Sequence, residues 1–154
     1  MIPKWKAEGN DWMMKADKIT QAQYQTLAEL RYALRRFLRF SETAAHAAGL
    51  TPQQHQAMLA IKGFQGRELI TIGELAERLQ VLHHSAVGLV NRLVTDKHVR
   101  RLPGRQDRRK VSLALTPQGE AVLRKLSATH REQLQHIGPQ ISHLLKELNF
   151  NRLG

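Results

Sequence analysis

Residues 71–116 constrain this chain more than any other stretch: TIGELAERLQVLHHSAVGLVNRLVTDKHVRRLPGRQDRRKVSLALT. The period of the apolar residues changes along the run. Ile72, Leu75, Ala76 and Leu79 recur at helical spacing, as do Ala86, Leu89, Val90 and Leu93, with Gln80-Val81-Leu82 between the two sets. After Asp96 the pattern becomes strand-like, and residues 99–103 and 110–115 flank the tip Gly104-Arg105-Gln106-Asp107-Arg108-Arg109. In the second of these strands Val111, Leu113 and Leu115 are expected to point inward, with Ser112 and Ala114 outward. The prediction is a helix, a turn, a second helix over about His83–Asp96, and then a cationic hairpin. Such a helix is slender enough for a major groove, and such a loop can reach a minor groove.

The rest of the chain reads as helices around this unit. Residues 1–16 show no clean period and are read as a tail, with Trp5 and Trp12 as candidates to pin it on a neighbouring surface. From Asp17 to Ala48 the residues Tyr24, Leu27, Leu30, Leu34, Phe37 and Leu38 keep helical spacing, and Gly49 is a natural stop. Thr51-Pro52-Gln53-Gln54 restarts a helix: the threonine caps, proline suits the first helical position, and Gln54 completes a capping box. That helix carries Met58, Leu59 and Ile61 to about Gly63, and Leu69-Ile70 is expected as a brief strand. Thr71-Ile72-Gly73-Glu74 is a second capping box, with its glutamate where the helix dipole favours it. Thr116-Pro117 opens a helix containing Val122, Leu123 and Leu126, expected to run to about His136 and to break at Gly138-Pro139. A last helix, from Gln140 to about Asn149, presents Ile141, Leu144, Leu145 and Leu148. The fold class is therefore mostly α with a winged helix-turn-helix lobe, in one domain spanning 17–154: the lobe at 50–116, with helical segments at 17–48 and 117–150.

The charge is localised. Of the formal +11, residues 78–110 carry nine basic side chains against two acids, Asp96 and Asp107, and so hold a net +7. An excess concentrated on the segment with the groove-sized helix is the electrostatic footprint of a nucleic-acid partner. There is no apolar run near 18 residues and no secretory pattern in MIPKWKAEGNDWMMKADK, so a cytoplasmic location without membrane insertion is expected. The absence of cysteine removes disulfides and thiolate metal sites.

Removing the inward face of the second helix leaves His83, His84, Ser85, Val87, Gly88, Asn91 and Arg92 outward. Histidine, serine and asparagine can hydrogen-bond to base edges, valine can touch a thymine methyl, and arginine serves phosphate or guanine. The segments LTPQQHQAMLAI (50–61), TIGELAERLQV (71–81), HHSAVGLVNRLV (83–94) and DRRKVSLALTPQGE (107–120), in this order and spacing, resemble the MarR family of winged-helix transcriptional regulators over about residues 20–148. The resemblance implies a sequence-specific DNA-binding regulator, a homodimeric repressor of a pseudo-palindromic operator, released by a small ligand. It also implies that Asp107-Arg108-Arg109 is the wing motif, in which the aspartate holds the arginine two places on. A carboxylate can fix a guanidinium fork through paired hydrogen bonds. The expected DNA-binding set is Thr71, His83, His84, Ser85, Val87, Gly88, Asn91, Arg92, Arg105, Asp107, Arg108, Arg109 and Lys110. Two positions depart from the family pattern: Lys97 where glycine is usual before the first wing strand, and Gly88 where many relatives carry a polar or basic reader.

In the family the first and last helices of two subunits interlock. The residues suited to that dimer interface are Tyr24, Leu27, Leu30, Ile137, Ile141, Leu144, Leu145 and Leu148. The family also implies a small aromatic or anionic effector in a cleft between the dimer helices and the DNA lobe; Arg35, Arg39, His46 and His55 are candidates to attract an anion, and no ligand residues are assigned. No metal and no cofactor are expected: His83 and His84 are adjacent and diverge by about 100° on a helix. No catalytic residue set is legible either, with no glycine-rich phosphate loop, GxSxG or HExxH. The alternative function is a nonspecific DNA-coating architectural protein, which the charge also suits. A third is a ligand-storage or protein-interaction module on a winged scaffold.

Overall fold

The computed structural model describes residues 19–66 and 69–150. The residues expected as a tail, and the Asp17 start of the first helix, lie outside them. Over the described residues the elements are α1 (Gln21–Ala47), α2 (Pro52–Lys62), α3 (Ile72–Leu79), α4 (His83–Thr95), β1 (Val99–Pro103), β2 (Val111–Leu115) and α5 (Pro117–Phe150). The two strands form one antiparallel sheet, with Val99 opposite Leu115 and Pro103 opposite Val111.

Three helices begin in the same way. Thr20, Thr51 and Thr71 each accept from the backbone N–H three residues on, and Gln23, Gln54 and Glu74 reach back to the threonine N–H. These boxes satisfy amides that a helix start otherwise leaves without partners. Three helices also end in the same way. In α1 the Leu50 N–H donates to the Ala45 carbonyl and the Gly49 N–H to His46; in α3 Val81 donates to Ala76 and Gln80 to Glu77; in α4 His98 donates to Leu93 and Lys97 to Val94. This is the Schellman pattern, and its pivot residue is left-handed: Gly49 at φ 79°, Gln80 at φ 55° and Lys97 at φ 61°.

The core lies where the helix-turn-helix, α2, the sheet and the start of α5 meet. Met58, Ile70, Leu75, Val90, Leu93, Val99 and Leu113 are essentially inaccessible there. The sheet is wider than the hairpin at one point: Thr71 bridges Ser112, and the Leu113 N–H donates to the Ile70 carbonyl. The expected brief strand at Leu69-Ile70 does not form; only this isolated bridge at the next residue does, and the alternation expected in β2 is overturned. Ser112 is buried where Thr71 pairs with it, whereas Val111 is exposed beside the tip of the hairpin.

The break expected at Gly138-Pro139 is also overturned. The helix α5 continues through Pro139 without interruption. Proline removes one intrahelical donor, but α5 is tied to α1 on both sides of it. Before the proline, His130 Nε2 meets Ser41 Oγ at 2.7 Å; beyond it, Leu144 is buried, and the Thr26 hydroxyl, whose proton is shared with the Ala22 carbonyl, lies 3.3 Å from Glu147 Oε2. Packing holds both halves in one helix.

Candidate nucleic-acid interface

The α3–α4 unit is anchored from inside. Leu75 and Ala76 of α3, and Ala86, Leu89, Val90 and Leu93 of α4, are buried. The far end of α4 is fixed by a side chain that periodicity does not reveal: Gln54 is buried in α2, its Oε1 accepts from the Thr51 N–H, and its Nε2 donates to Asp96 Oδ2 at 3.1 Å. One amide thus caps α2 and ties it to the end of α4.

This anchoring leaves His83, His84, Ser85, Asn91 and Arg92 exposed, with Val87 and Gly88 half-buried. The N-terminus of α4 follows Leu82, which supplies no side-chain cap, and its first turn contains no acid. Unmet N–H groups and the positive end of the helix dipole both favour an approaching anion. A Cβ built on Gly88 meets nothing within 4 Å, so packing within the chain does not require glycine there.

At the wing tip the Gly104 N–H donates to the Lys110 carbonyl at 2.8 Å, and the Lys110 N–H to the Asp107 carbonyl at 3.1 Å. A side chain at 104 would collide with the Asp107 carbonyl, so glycine is a steric requirement of this turn. Arg105, Asp107, Arg108, Arg109 and Lys110 are all exposed. The aspartate does hold residue 109, but not through a guanidinium fork. Asp107 Oδ1 accepts from the Arg109 backbone N–H at 3.0 Å, while the Arg109 Nε stands off at 3.8 Å with its side chain 95% exposed. An exposed pair at that separation is weak. Asp107 shapes the turn, and the Arg109 fork remains free.

Thr71 opens α3 from within its capping box. Its N–H donates to Glu74 Oε2 at 2.8 Å, its hydroxyl donates to the same oxygen, and that hydroxyl accepts from the Glu74 N–H. With its donors engaged inside the capping box, Thr71 orients α3. One polar contact links the wing to the reading face, and the sequence gives no hint of it: Arg101 of β1 donates through Nη2 to Asn91 Oδ1 of α4. The connection before β1 is closed by Thr116, whose hydroxyl donates to the Lys97 carbonyl and accepts from the Gly119 N–H. Gly119 abuts the His98 carbonyl with no room for a Cβ.

At the other end of the molecule Tyr24, Leu27 and Leu145 are exposed, and Leu30, Ile137, Ile141 and Leu148 are half-buried. Leu144 departs from the expected interface set: it is buried within the chain. Between α1, α2 and α5 lies a groove of about 480 Å³ lined by Phe37, His55, Leu59, Ser127, His130, Arg131, Leu134 and Gln135. Of the residues expected to attract an anion, only His55 lines it. His55 is buried, and its pKa is held below the ordinary histidine value by burial and by the neighbouring His130, whose ring centroid is 4.7 Å away. Arg131 is the cation of this groove. No helix of the described residues is long and apolar enough to cross a membrane.

Residues 48–110 match the profile of the MarR family. The chain is 33% identical over 79 residues to the transcriptional activatory protein BadR of Rhodopseudomonas palustris; the aligned part is 51% of this chain and 45% of that protein, so the match spans less than half of the relative's length. Its fold superimposes on AbsC, a MarR family transcriptional regulator from Streptomyces coelicolor, with a TM-score of 0.68 at 18% identity, covering 88% of this chain and 92% of that one. A substituted Staphylococcus aureus MepR bound to an oligodeoxyribonucleotide gives a TM-score of 0.61 at 20% identity, covering 88% and 94%. The capped helix-turn-helix and the glycine-closed basic wing lie within the residues that match the MarR family, and the chain has the winged-helix fold of these regulators.

Proposed function

We propose that this protein is a sequence-specific DNA-binding transcriptional regulator that acts as a homodimer on a pseudo-palindromic operator. The observation that carries the reading is the exposed polar face of α4, with His84, Ser85, Asn91 and Arg92, joined by Arg101 to a wing whose arginines stand free. In this reading α4 lies in the major groove and Arg109 reaches the adjacent minor groove, where narrow width concentrates negative potential. The MepR relative in complex with an oligodeoxyribonucleotide supports the same use of the fold. Apolar side chains exposed on α1 and α5, Tyr24, Leu27 and Leu145 among them, suit a second copy of the chain. Repression follows where the operator overlaps a promoter; the name of BadR describes activation, and a promoter–reporter assay reads the sign for this chain.

The groove beside Arg131 suits a small aromatic acid: its walls are largely apolar and aromatic, with one cation to receive a carboxylate. Such a ligand releases DNA only if it binds the DNA-incompetent dimer more tightly than the competent one. The test of the main reading is selection of bound genomic fragments in vitro, followed by titration of the recovered duplex against random DNA at one salt concentration. A specific site bound at least about 10³-fold more tightly than random sequence is expected. Equal affinity for both would identify a DNA-coating protein, and no binding would leave only a ligand or protein module.

A further inference from the structure

The hydrogen bond between Arg101 and Asn91 has consequences for which base α4 reads. Val99, Arg101 and Pro103 share one face of β1, and Val99 on that face is buried in the core. Two residues along the strand the same face runs past the edge of the core and over the exposed side of α4. There the Arg101 guanidinium donates to Asn91 Oδ1. Chemistry settles which amide atom it meets: a guanidinium has only donors, so the atom must be the oxygen. The Asn91 NH2 group is then the part left to face outward.

An asparagine that reads adenine in the major groove needs both ends of its amide, the oxygen for N6–H and the nitrogen for N7. With the oxygen turned toward Arg101 and one of its two lone pairs engaged there, Asn91 presents its NH2 donors outward, beside a positive charge that disfavours a further donor from the base. The matching base edge is one made of acceptors, and guanine, with O6 and N7, is the base that presents two. We propose that Arg101 is a positioning residue for specificity: by engaging the oxygen of Asn91 it turns this side chain into a donor and directs it to guanine rather than adenine. This rests on the reading of α4 as the base-contacting helix.

The test is selection from a random duplex library at fixed salt with the full-length protein, comparing wild type, Asn91→Ala, Arg101→Ala and Arg101→Lys. The expected result is a guanine in each half-site whose enrichment disappears in Asn91→Ala. In Arg101→Ala the preference at that position should move toward adenine by about tenfold, the size of one base-discriminating contact, with binding elsewhere in the site unchanged. Arg101→Lys keeps a cationic donor and should retain guanine. If Arg101→Ala instead weakens every sequence alike and lowers the salt dependence by about one phosphate contact, Arg101 binds the backbone and the proposal fails. If Asn91→Ala changes no base preference while specific binding persists, the proposal fails at Asn91 and the general reading of the site survives. Loss of all sequence preference in the wild type would remove that general reading as well.

Discussion

Lys97 occupies a conformation that favours glycine. Its N–H and that of His98 close the end of α4 just as Gly49 and Leu50 close α1, yet lysine carries the left-handed φ of 61°. A non-glycine residue in that region is disfavoured by about 1–2 kcal/mol, and part of the gain from glycine is returned through the freer unfolded chain. Lys97→Gly is therefore expected to raise the Tm by about 1–4 °C, measured by thermal unfolding; a lower Tm would show that the side chain does more than sit in the turn. Gly88 is the converse case. A Cβ there meets nothing, so Gly88→Ala should stabilise α4 by about 1 kcal/mol through helix propensity. If Gly88 serves close approach to DNA, the same substitution weakens operator binding in a gel-shift titration. A more stable variant with unchanged affinity assigns Gly88 to simple tolerance. The three threonine boxes were legible because cap and partner lie three residues apart in the sequence. The pivot at Gln80 was not, and that at Lys97 showed only as a departure from the family's glycine, because hydrogen bonds imposed from the following residues hold both left-handed against their own preference.

Between elements, the informative contacts join residues far apart in the chain, which is why periodicity missed them. Pro139 reads as a stop, yet α5 passes through it because Ser41 and Thr26 of α1 hold the helix on either side. Ser112 reads as outward, yet it is buried where Thr71 pairs with it. The packing of α1, α2 and α5 also carries a pH dependence. His130 Nδ1 faces the Leu126 carbonyl, an acceptor only, and so bears a proton, while its Nε2 faces Ser41. His55 lies against this ring, with Arg131 the cation lining the groove and Phe37 and Phe40 of α1 flanking His130. A histidine whose folded pKa is lowered favours the neutral form in the fold. Its contribution is complete above the unfolded value of about 6.5 and is lost as pH falls below it toward the lowered value. The Tm should therefore fall between pH 7.5 and 5.5, and His55→Leu should flatten that fall; an unchanged slope would place the titration elsewhere. On the wing, Arg109→Ala is expected to reduce operator affinity by about 1–3 kcal/mol, whereas Asp107→Asn, which keeps the acceptor for the 109 N–H, should cost much less. Comparable losses in a gel-shift titration would restore the carboxylate–guanidinium pair as the functional unit.

At the scale of the whole molecule the chain divides its surface by chemistry. Basic groups gather on residues 78–110, while exposed apolar side chains lie along α1 and the far part of α5. Pairing two copies through the apolar ends would present two α4 helices and two wings to one duplex, with half-site centres about one helical turn apart or a multiple of it. The order of elements as far as the start of α5 and the basic wing could be read from the chain, because each is built from local patterns. The groove at Arg131 and the join between wing and α4 could not, since both depend on how helices and strands cross. The most direct test of the account is hydroxyl-radical footprinting of a selected genomic operator with wild type and Arg109→Ala. The account predicts two protected half-sites in phase with the helical repeat, each flanked by minor-groove protection that Arg109→Ala removes while the half-sites remain. Uniform protection without spacing, or flanking protection untouched by Arg109→Ala, would contradict it.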